Sequence, residues 1–334
     1  MMKKKIIISI AVILVVAMIP LSILVFKPAY TMSQNRKNLE VKSADQITGG
    51  DDYIHFLNTG GSDAILIESG GKFALVDAAE DSDNPRGFED LELEGYEDKV
   101  LAYLKEHAAG EDGRVKLDFV LGTHCHSDHI GGFDTVISDS SVDVGRAYLK
   151  AYDSSRIRDK EIEKWDNQEV YDQMVNALNE KNVPIISQLD GEPFTLGNFT
   201  ITLFNTNDEH TDKKLGENDQ SVGMLIEKDG TRVFLSGDMD NLTGDEDRLA
   251  PEIGDIDLLK VGHHSYHFSS TTNWIKTLSP EYCVVTNKKN KVEPRILWRI
   301  VQNANSTILI TGAEDGVIAE IGSNGDIQFY NSIH

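Results

Sequence analysis

The sequence predicts an α/β fold, two packed sheets with helices on their outer faces, preceded by an N-terminal transmembrane helix. Three observations carry that prediction. Short apolar strands first alternate with helical stretches and later run as hairpins, which is the pattern of a mixed sandwich. Six of the ten histidines fall in two clusters, each placed directly after a buried strand. An unbroken apolar run opens the chain. The 334 residues are enough for a large buried core, and one α/β domain of roughly 250 residues accommodates most of them.

Lys3, Lys4 and Lys5 precede the apolar run Ile6–Phe26, which Lys27 closes. At a rise of about 1.5 Å per residue, such a run spans a hydrocarbon core of about 30 Å. It is longer than the roughly 7 to 15 apolar residues of a signal peptide. Residues 1–28 are therefore expected to be a membrane anchor, with a cleaved secretion signal as the alternative. The basic flank is expected to place the N-terminus in the cytoplasm and the rest of the chain outside, on a single-pass protein. Residues 29–50, polar and aperiodic, read as a stalk, and residues 51–334 as one folded domain.

Within that domain, 52–58, 64–68 and 73–77 read as strands separated by Gly60-Gly61 and Gly70-Gly71. Residues 96–108 read as a helix, 117–122 as a buried strand, and 154–182 as one long charged helical stretch. Strands follow at 200–204, 221–227 and 232–236, the last two joined by the turn Lys228-Asp229-Gly230. A strand at 257–261 ends in histidines. Residues 283–287 read as strand, 294–303 as helix, and 307–311 and 316–321 as closing strands.

The net charge is −23. The first 28 residues hold four lysines and no acid, so the remainder has 28 basic against 55 acidic residues, a charge of −27. That balance repels phosphate backbones and argues against nucleic acid as a partner. The two cysteines, Cys125 and Cys283, exclude a disulfide scaffold. Cys125 reads as a packing residue, and a Cys125–Cys283 bridge is left open.

The chemistry concentrates in Thr123-His124-Cys125-His126-Ser127-Asp128-His129 and Gly262-His263-His264-Ser265-Tyr266-His267. Alternate side chains of an extended stretch share a face, so His124, His126 and Asp128 are expected to point together, with His129 beside them as the chain turns. Four ligand-type side chains in six residues exceed what one catalytic zinc takes, since zinc prefers four ligands in total and leaves one position open. Two metals about 3.5 to 4 Å apart, sharing a carboxylate, relieve the crowding. Asp238, at the end of a strand in Ser236-Gly237-Asp238, is placed to be that bridge, and His263 or His264 to complete the second metal. The expected cofactors are two Zn²⁺, other divalent metals being possible. Asp128, Asp238 and His264 are the expected catalytic residues.

The order His124-x-His126-x-Asp128-His129, then Gly237-Asp238, then Gly262-His263-His264 resembles the metallo-β-lactamase superfamily of dinuclear metallohydrolases, over roughly residues 50 to 325. The resemblance implies an αββα sandwich with the site on loops along one edge of the paired sheets. It also implies that Asp77, in the place of the family's Asp-x-Gly motif, orients a ligand histidine. Here the motif reads Asp77-Ala78-Ala79 and lacks the glycine. Many members have a further histidine ligand where this sequence has Glu217-Asn218-Asp219-Gln220-Ser221, with His210 the only histidine nearby. The first metal is thus expected to have His124, His126 and Asp238 as its protein ligands.

A narrower resemblance, from about residue 118 to 286, is to the catalytic module of pneumococcal phosphorylcholine esterase, a teichoic acid phosphorylcholine esterase. It rests on Tyr148 to Arg156, Trp165-Asp166-Asn167, the stretch from Gly237 to Asp247, and Leu278-Ser279-Pro280. It implies hydrolysis of phosphorylcholine-type phosphodiesters on cell-wall or membrane polymers, by a hydroxide held on the metals. A quaternary ammonium is bound by aromatic faces and acidic neighbours. Tyr148, Tyr152, Trp165, Tyr171 and Tyr266 are the candidate aromatics, with Glu80, Asp81 and Asp166 as acids. The alternatives are a nuclease-like hydrolase resembling the domain of DNA-uptake competence proteins, and a metal-binding wall protein without turnover.

Overall fold

The computed structural model describes residues 27–47, 52–82, 94–207 and 214–333. Ten described strands form the first sheet. Its order is Val41–Ser43, Ile327–Asn331, Val317–Ile321, Asp52–Phe56, Ala64–Ser69, Lys72–Ala78, Val115–Gly122, Ala147–Leu149 and Ile185–Ile186, with Val142–Val144 also paired to Val115–Gly122. Seven form the second, in the order Thr307–Ile310, Tyr282–Val285, Leu258–Lys260, Thr231–Leu235, Gly223–Lys228, Phe199–Phe204 and Phe194–Leu196. Both sheets are mixed. The hairpin Gly223–Lys228/Thr231–Leu235 is antiparallel, whereas Thr231–Leu235, Leu258–Lys260, Tyr282–Val285 and Thr307–Ile310 run parallel.

Period-two patterning decides what each face meets. In Lys72–Ala78, Ala74 and Val76 turn to the layer between the sheets, where they meet Phe119, Leu121, Phe199, Ile201 and Met224. Leu75 and Ala78 turn outward to a second cluster with Val100, Leu104, Phe133 and Met174. Those partners come from the helices Glu97–His107, Phe133–Ser138 and Asn167–Glu180. The helices Asp245–Ile253, Thr272–Leu278 and Pro294–Ala304 cover the far face of the second sheet through Leu249, Trp274, Ile275 and Ile300. The order of layers is helix, sheet, sheet, helix, as expected.

Two expectations need correction. The stretch 154–182 is not one helix. It breaks into a turn of 3₁₀ helix at Ser154–Arg156, a four-residue helix Asp159–Ile162, and Asn167–Glu180. The break follows from composition, because only the last piece has the spaced apolar residues Val170, Met174, Ala177 and Leu178 that can be buried along one face. The stretch read as a stalk is attached to the domain. Residues 27–38 are helical, Arg36 pairs with Glu314, and Val41–Ser43 adds a parallel strand beside Ile327–Asn331. The apolar run Ile6–Phe26 lies outside the described residues. Among those described, no helix is long and apolar enough to cross a membrane.

Candidate metal centre

The site forms where parallel strands of both sheets end. Strand Lys72–Ala78 delivers Asp77, Val115–Gly122 runs into Thr123 and His124, Thr231–Leu235 leads to Asp238, and Leu258–Lys260 leads to His263 and His264. Backbone strain gathers here. Asp77 and Ala79 have φ of 56° and 65°, so an alanine holds the left-handed conformation for which the related motif uses glycine. His263, His264 and Ser265 follow one another at φ of 49°, 47° and 67°, a conformation that ordinarily costs L-residues about 1 to 2 kcal/mol each. The glycine after Gly131 is required by space, because a Cβ on Gly132 would stand 2.3 Å from the carbonyl oxygen of Ala78.

The histidine tautomers follow from their partners. His129 Nδ1 donates to Asp77 Oδ2 at 2.7 Å. Thr123 Oγ1 donates to the same carboxylate at 2.8 Å, which leaves it to accept from His124 Nδ1 at 3.1 Å. His264 Nδ1 donates to the carbonyl of Thr286 at 2.9 Å. His126 is reversed, with Nε2 donating to Glu161 Oε1 at 3.1 Å. Each imidazole therefore spends one nitrogen on an acceptor outside the cluster and keeps a lone pair on the other, the arrangement that fixes metal-ligating histidines.

The remaining nitrogens converge. His129 Nε2 lies 3.2 Å from both His264 Nε2 and Asp238 Oδ1. His264 Nε2 lies 3.3 Å from Asp238 Oδ1 and 3.5 Å from Asp128 Oδ2. Ligands at about 2.05 Å from a tetrahedral zinc stand about 3.3 Å from one another, so Asp128, His129, Asp238 and His264 fit a divalent cation. His124 Nε2 and His126 Nδ1 face each other at 3.1 Å, a second pair with the same spacing. Among the described residues, no third imidazole or carboxylate completes a set with these two.

The division differs from the expected one. Asp128 joins His129 and His264 because the helix Ser127–Ile130 starts directly after His126, which ends the extended alternation. His264 rather than His263 enters the group of four. His263 Nε2 instead receives the amide of Asn218 at 3.1 Å and stands 4.0 Å from the second oxygen of Asp238. His267 is exposed.

Burial and charge set the electrostatics. For His264 burial works against protonation, but Asp238 and Asp63 outweigh it and raise the pKa to about 10. His129 moves up in the same way, against burial, through Asp238 and Asp77. Asp238 goes well below the usual range, since His264 and His129 more than offset the burial that would raise it. His124 is held down by burial and by its neighbours His129 and His126. Burial takes His263 to about 4, Asp238 opposing only in part. Without a cation, His129 and His264 are thus drawn toward the protonated form beside Asp238, whereas His124 and His263 are held toward the neutral form.

Three participants were not singled out in the sequence. Lys260, 0% exposed, is ion-paired to Asp63, donates to the Gly237 carbonyl at 2.9 Å and lies 3.7 Å from Asp238 Oδ1. A lysine inside the apolar run 258–261, just before the histidines, is a usable signal. Asp63 follows Gly60-Gly61 with nothing to distinguish it. Glu161 is one acid among several in its stretch.

The candidate substrate residues separate. The Trp165 ring lies 6.0 Å from that of His126, and the Tyr266 ring 5.6 Å from that of His263. Tyr148 is elsewhere, stacked on Phe194 at 5.2 Å with Arg146 over its ring, so its faces are already occupied. Tyr152 packs beside Tyr171, against the outer layer of helices. Glu80 and Asp81 are buried. Cys125 and Cys283 are both buried and unpaired with each other. His210 lies outside the described residues.

The sequence pattern of the β-lactamase superfamily domain matches residues 76–274. No curated protein matches. Among solved structures, the chain is similar to the metallo-β-lactamase-fold protein YhfI from Bacillus subtilis, at TM-score 0.47 and 16% identity, over 78% of this chain and 97% of that one. It is similar to Zn²⁺-bound PqqB from Methylobacterium extorquens, at TM-score 0.44 and 15% identity, over 77% and 86% of the two chains. It is also similar to the short form of human tRNase Z, at TM-score 0.40 and 13% identity, over 77% and 91%.

Proposed function

This chain belongs to the β-lactamase superfamily, and from that premise we propose that it is a dinuclear zinc hydrolase of phosphodiesters, acting on phosphorylcholine-type esters outside the cell from a membrane anchor. The observation that carries the reading is the set of four imidazoles, each with one nitrogen tied to an outer acceptor and the other turned into the cluster, where Asp238 stands beside His129 and His264. Asp128, His129, Asp238 and His264 would hold one cation, and His124 and His126 would offer two nitrogens to the other. When bound, such cations lower the pKa of water toward neutrality and neutralise charge on phosphoryl oxygens.

The chain's own residues supply position and polarity. Asp77 holds His129 directly and His124 through Thr123, so one buried carboxylate orients ligands on both sides of the site. Lys260 offsets the repulsion between Asp63 and Asp238, so both carboxylates can sit buried beside the site. Trp165 beside His126 and Tyr266 beside His263 put aromatic rings next to the histidine cluster, the residue type that binds a quaternary ammonium. The acidic charge of the chain after residue 28 favours a zwitterionic head group over nucleic acid.

The test offers the zinc-loaded chain p-nitrophenyl-phosphorylcholine, bis-p-nitrophenyl phosphate and single-stranded DNA. Preference for the phosphorylcholine ester supports the reading. Preference for DNA replaces it with the nuclease alternative, and zinc binding without turnover on any of the three replaces it with a wall protein.

A further inference from the structure

We propose that Glu161 is a positioning residue for the His124–His126 side of the centre, and that through it the segment 154–165 is coupled to cation binding there. The proposal rests on the metal reading above. Three of the four ligand-type histidines are held from the core of the fold. His124 and His129 lean on Thr123 and Asp77, and His264 on the Thr286 carbonyl, all buried. His126 alone is held by a residue of the broken stretch between strand Ala147–Leu149 and helix Asn167–Glu180.

Glu161 Oε1 accepts from His126 Nε2 at 3.1 Å, from the Glu217 backbone N–H at 2.7 Å and from Asn167 Nδ2 at 3.5 Å. The first of these bonds decides which His126 nitrogen is free, and so turns Nδ1 toward His124 Nε2. The same four-residue helix positions Trp165, whose backbone N–H donates to the Glu161 backbone carbonyl at 2.8 Å and whose ring flanks His126. The segment is moored by backbone bonds, Leu215 N–H to Arg156 at 2.6 Å and Arg158 N–H to Leu215 at 2.9 Å. Glu161 and Trp165 thus bracket one imidazole from a segment that lies outside the packed layers. With only two protein nitrogens on this side, each ligand's orientation matters more than in the group of four. A cation there holds His126, His126 holds Glu161, and Glu161 holds the segment.

The experiment titrates Zn²⁺ into the metal-free full chain against a chromophoric chelator, and follows amide exchange in peptides covering 154–166. In the wild type, two cations bind and the second equivalent slows exchange in the segment. Glu161→Ala is expected to weaken one site 10- to 100-fold, leave the other unchanged, and abolish the exchange effect. Glu161→Gln, which keeps the acceptor oxygen, is expected to recover most of the affinity. Unchanged affinity at both sites in Glu161→Ala overturns the proposal while leaving the metal reading intact. Equal weakening of both sites also overturns it, since a merely structural residue acts that way. If Glu161→Ala does not fold, Glu161→Gln decides, and segment exchange in it that is indifferent to zinc overturns the coupling. A wild type that binds no zinc overturns the metal reading, and the proposal with it.

Discussion

Replacing Lys260 by methionine tests how the buried charges of the site are balanced. Lys260 is 0% and Asp63 1% exposed, so neither has water to turn to when the other is removed. Lys260→Met keeps the aliphatic stem and deletes the cation. Asp63 is then left facing Asp238, 3.7 Å from the former ammonium, with Asp77 close enough to add to the field at Lys260. Breaking a buried pair from one side costs about 3 to 5 kcal/mol. With an unfolding entropy of about 2.1 cal/mol/K per residue over roughly 300 folded residues, the expected fall in Tm is about 5 to 8 °C. The assay is thermal and urea unfolding of the metal-free chain, followed by circular dichroism. The double variant Lys260→Met/Asp63→Leu, which removes both charges, is expected to regain more than half of the loss. A single variant within about 1 kcal/mol of wild type would refute the reasoning, because the pair would then contribute nothing beyond packing.

Asp238→Asn is expected to reduce turnover by orders of magnitude while the folded circular dichroism spectrum is retained; near-normal turnover contradicts Asp238 as a ligand beside His129 and His264. Glu217, buried and accepting the Cys125 N–H, is raised to about 7 by burial. Its folded pKa lies above its unfolded one, so it favours folding below pH 4.5 and that contribution is lost as pH rises through 7. Glu217→Gln should therefore flatten the metal-free stability profile between those values by up to about 3 kcal/mol, and an unchanged slope counts against a buried carboxyl. His55, bonded to Tyr103 at 2.8 Å, is lowered by burial, so the stability it contributes is present above its unfolded pKa of 6.5 and lost as pH falls through the folded value. His55→Gln should lessen the loss of stability on acidification, read from urea midpoints across pH 4 to 8.

Much of the layering was legible because strand patterning has a short period. Leu75 and Val76 point to opposite faces of one sheet, and the sequence alternation shows as much. The two histidine clusters were legible because strand ends carry them. What could not be read was long-range partnership. Glu161 meets His126 across 35 residues, and Asp63 meets Lys260 through the packing of two sheets. The choice between His263 and His264 depended on consecutive left-handed residues that no local pattern announces. Tyr148 looked available because aromatic spacing says nothing about whether Phe194 already covers the ring. The stretch 154–182 reads as continuous because its charged residues suit helix in every piece; the lack of spaced apolar residues before Val170, together with contacts to Leu215 and Glu217 from elsewhere in the chain, breaks it.

The most direct test is the metal content of the purified chain, with anomalous diffraction to place each cation. Two zinc ions per chain, one touching Asp128, His129, Asp238 and His264 and the other touching His124 and His126, are what the proposed function predicts. A chain that stays empty in excess zinc, or takes it up at some place remote from Asp238, would contradict it.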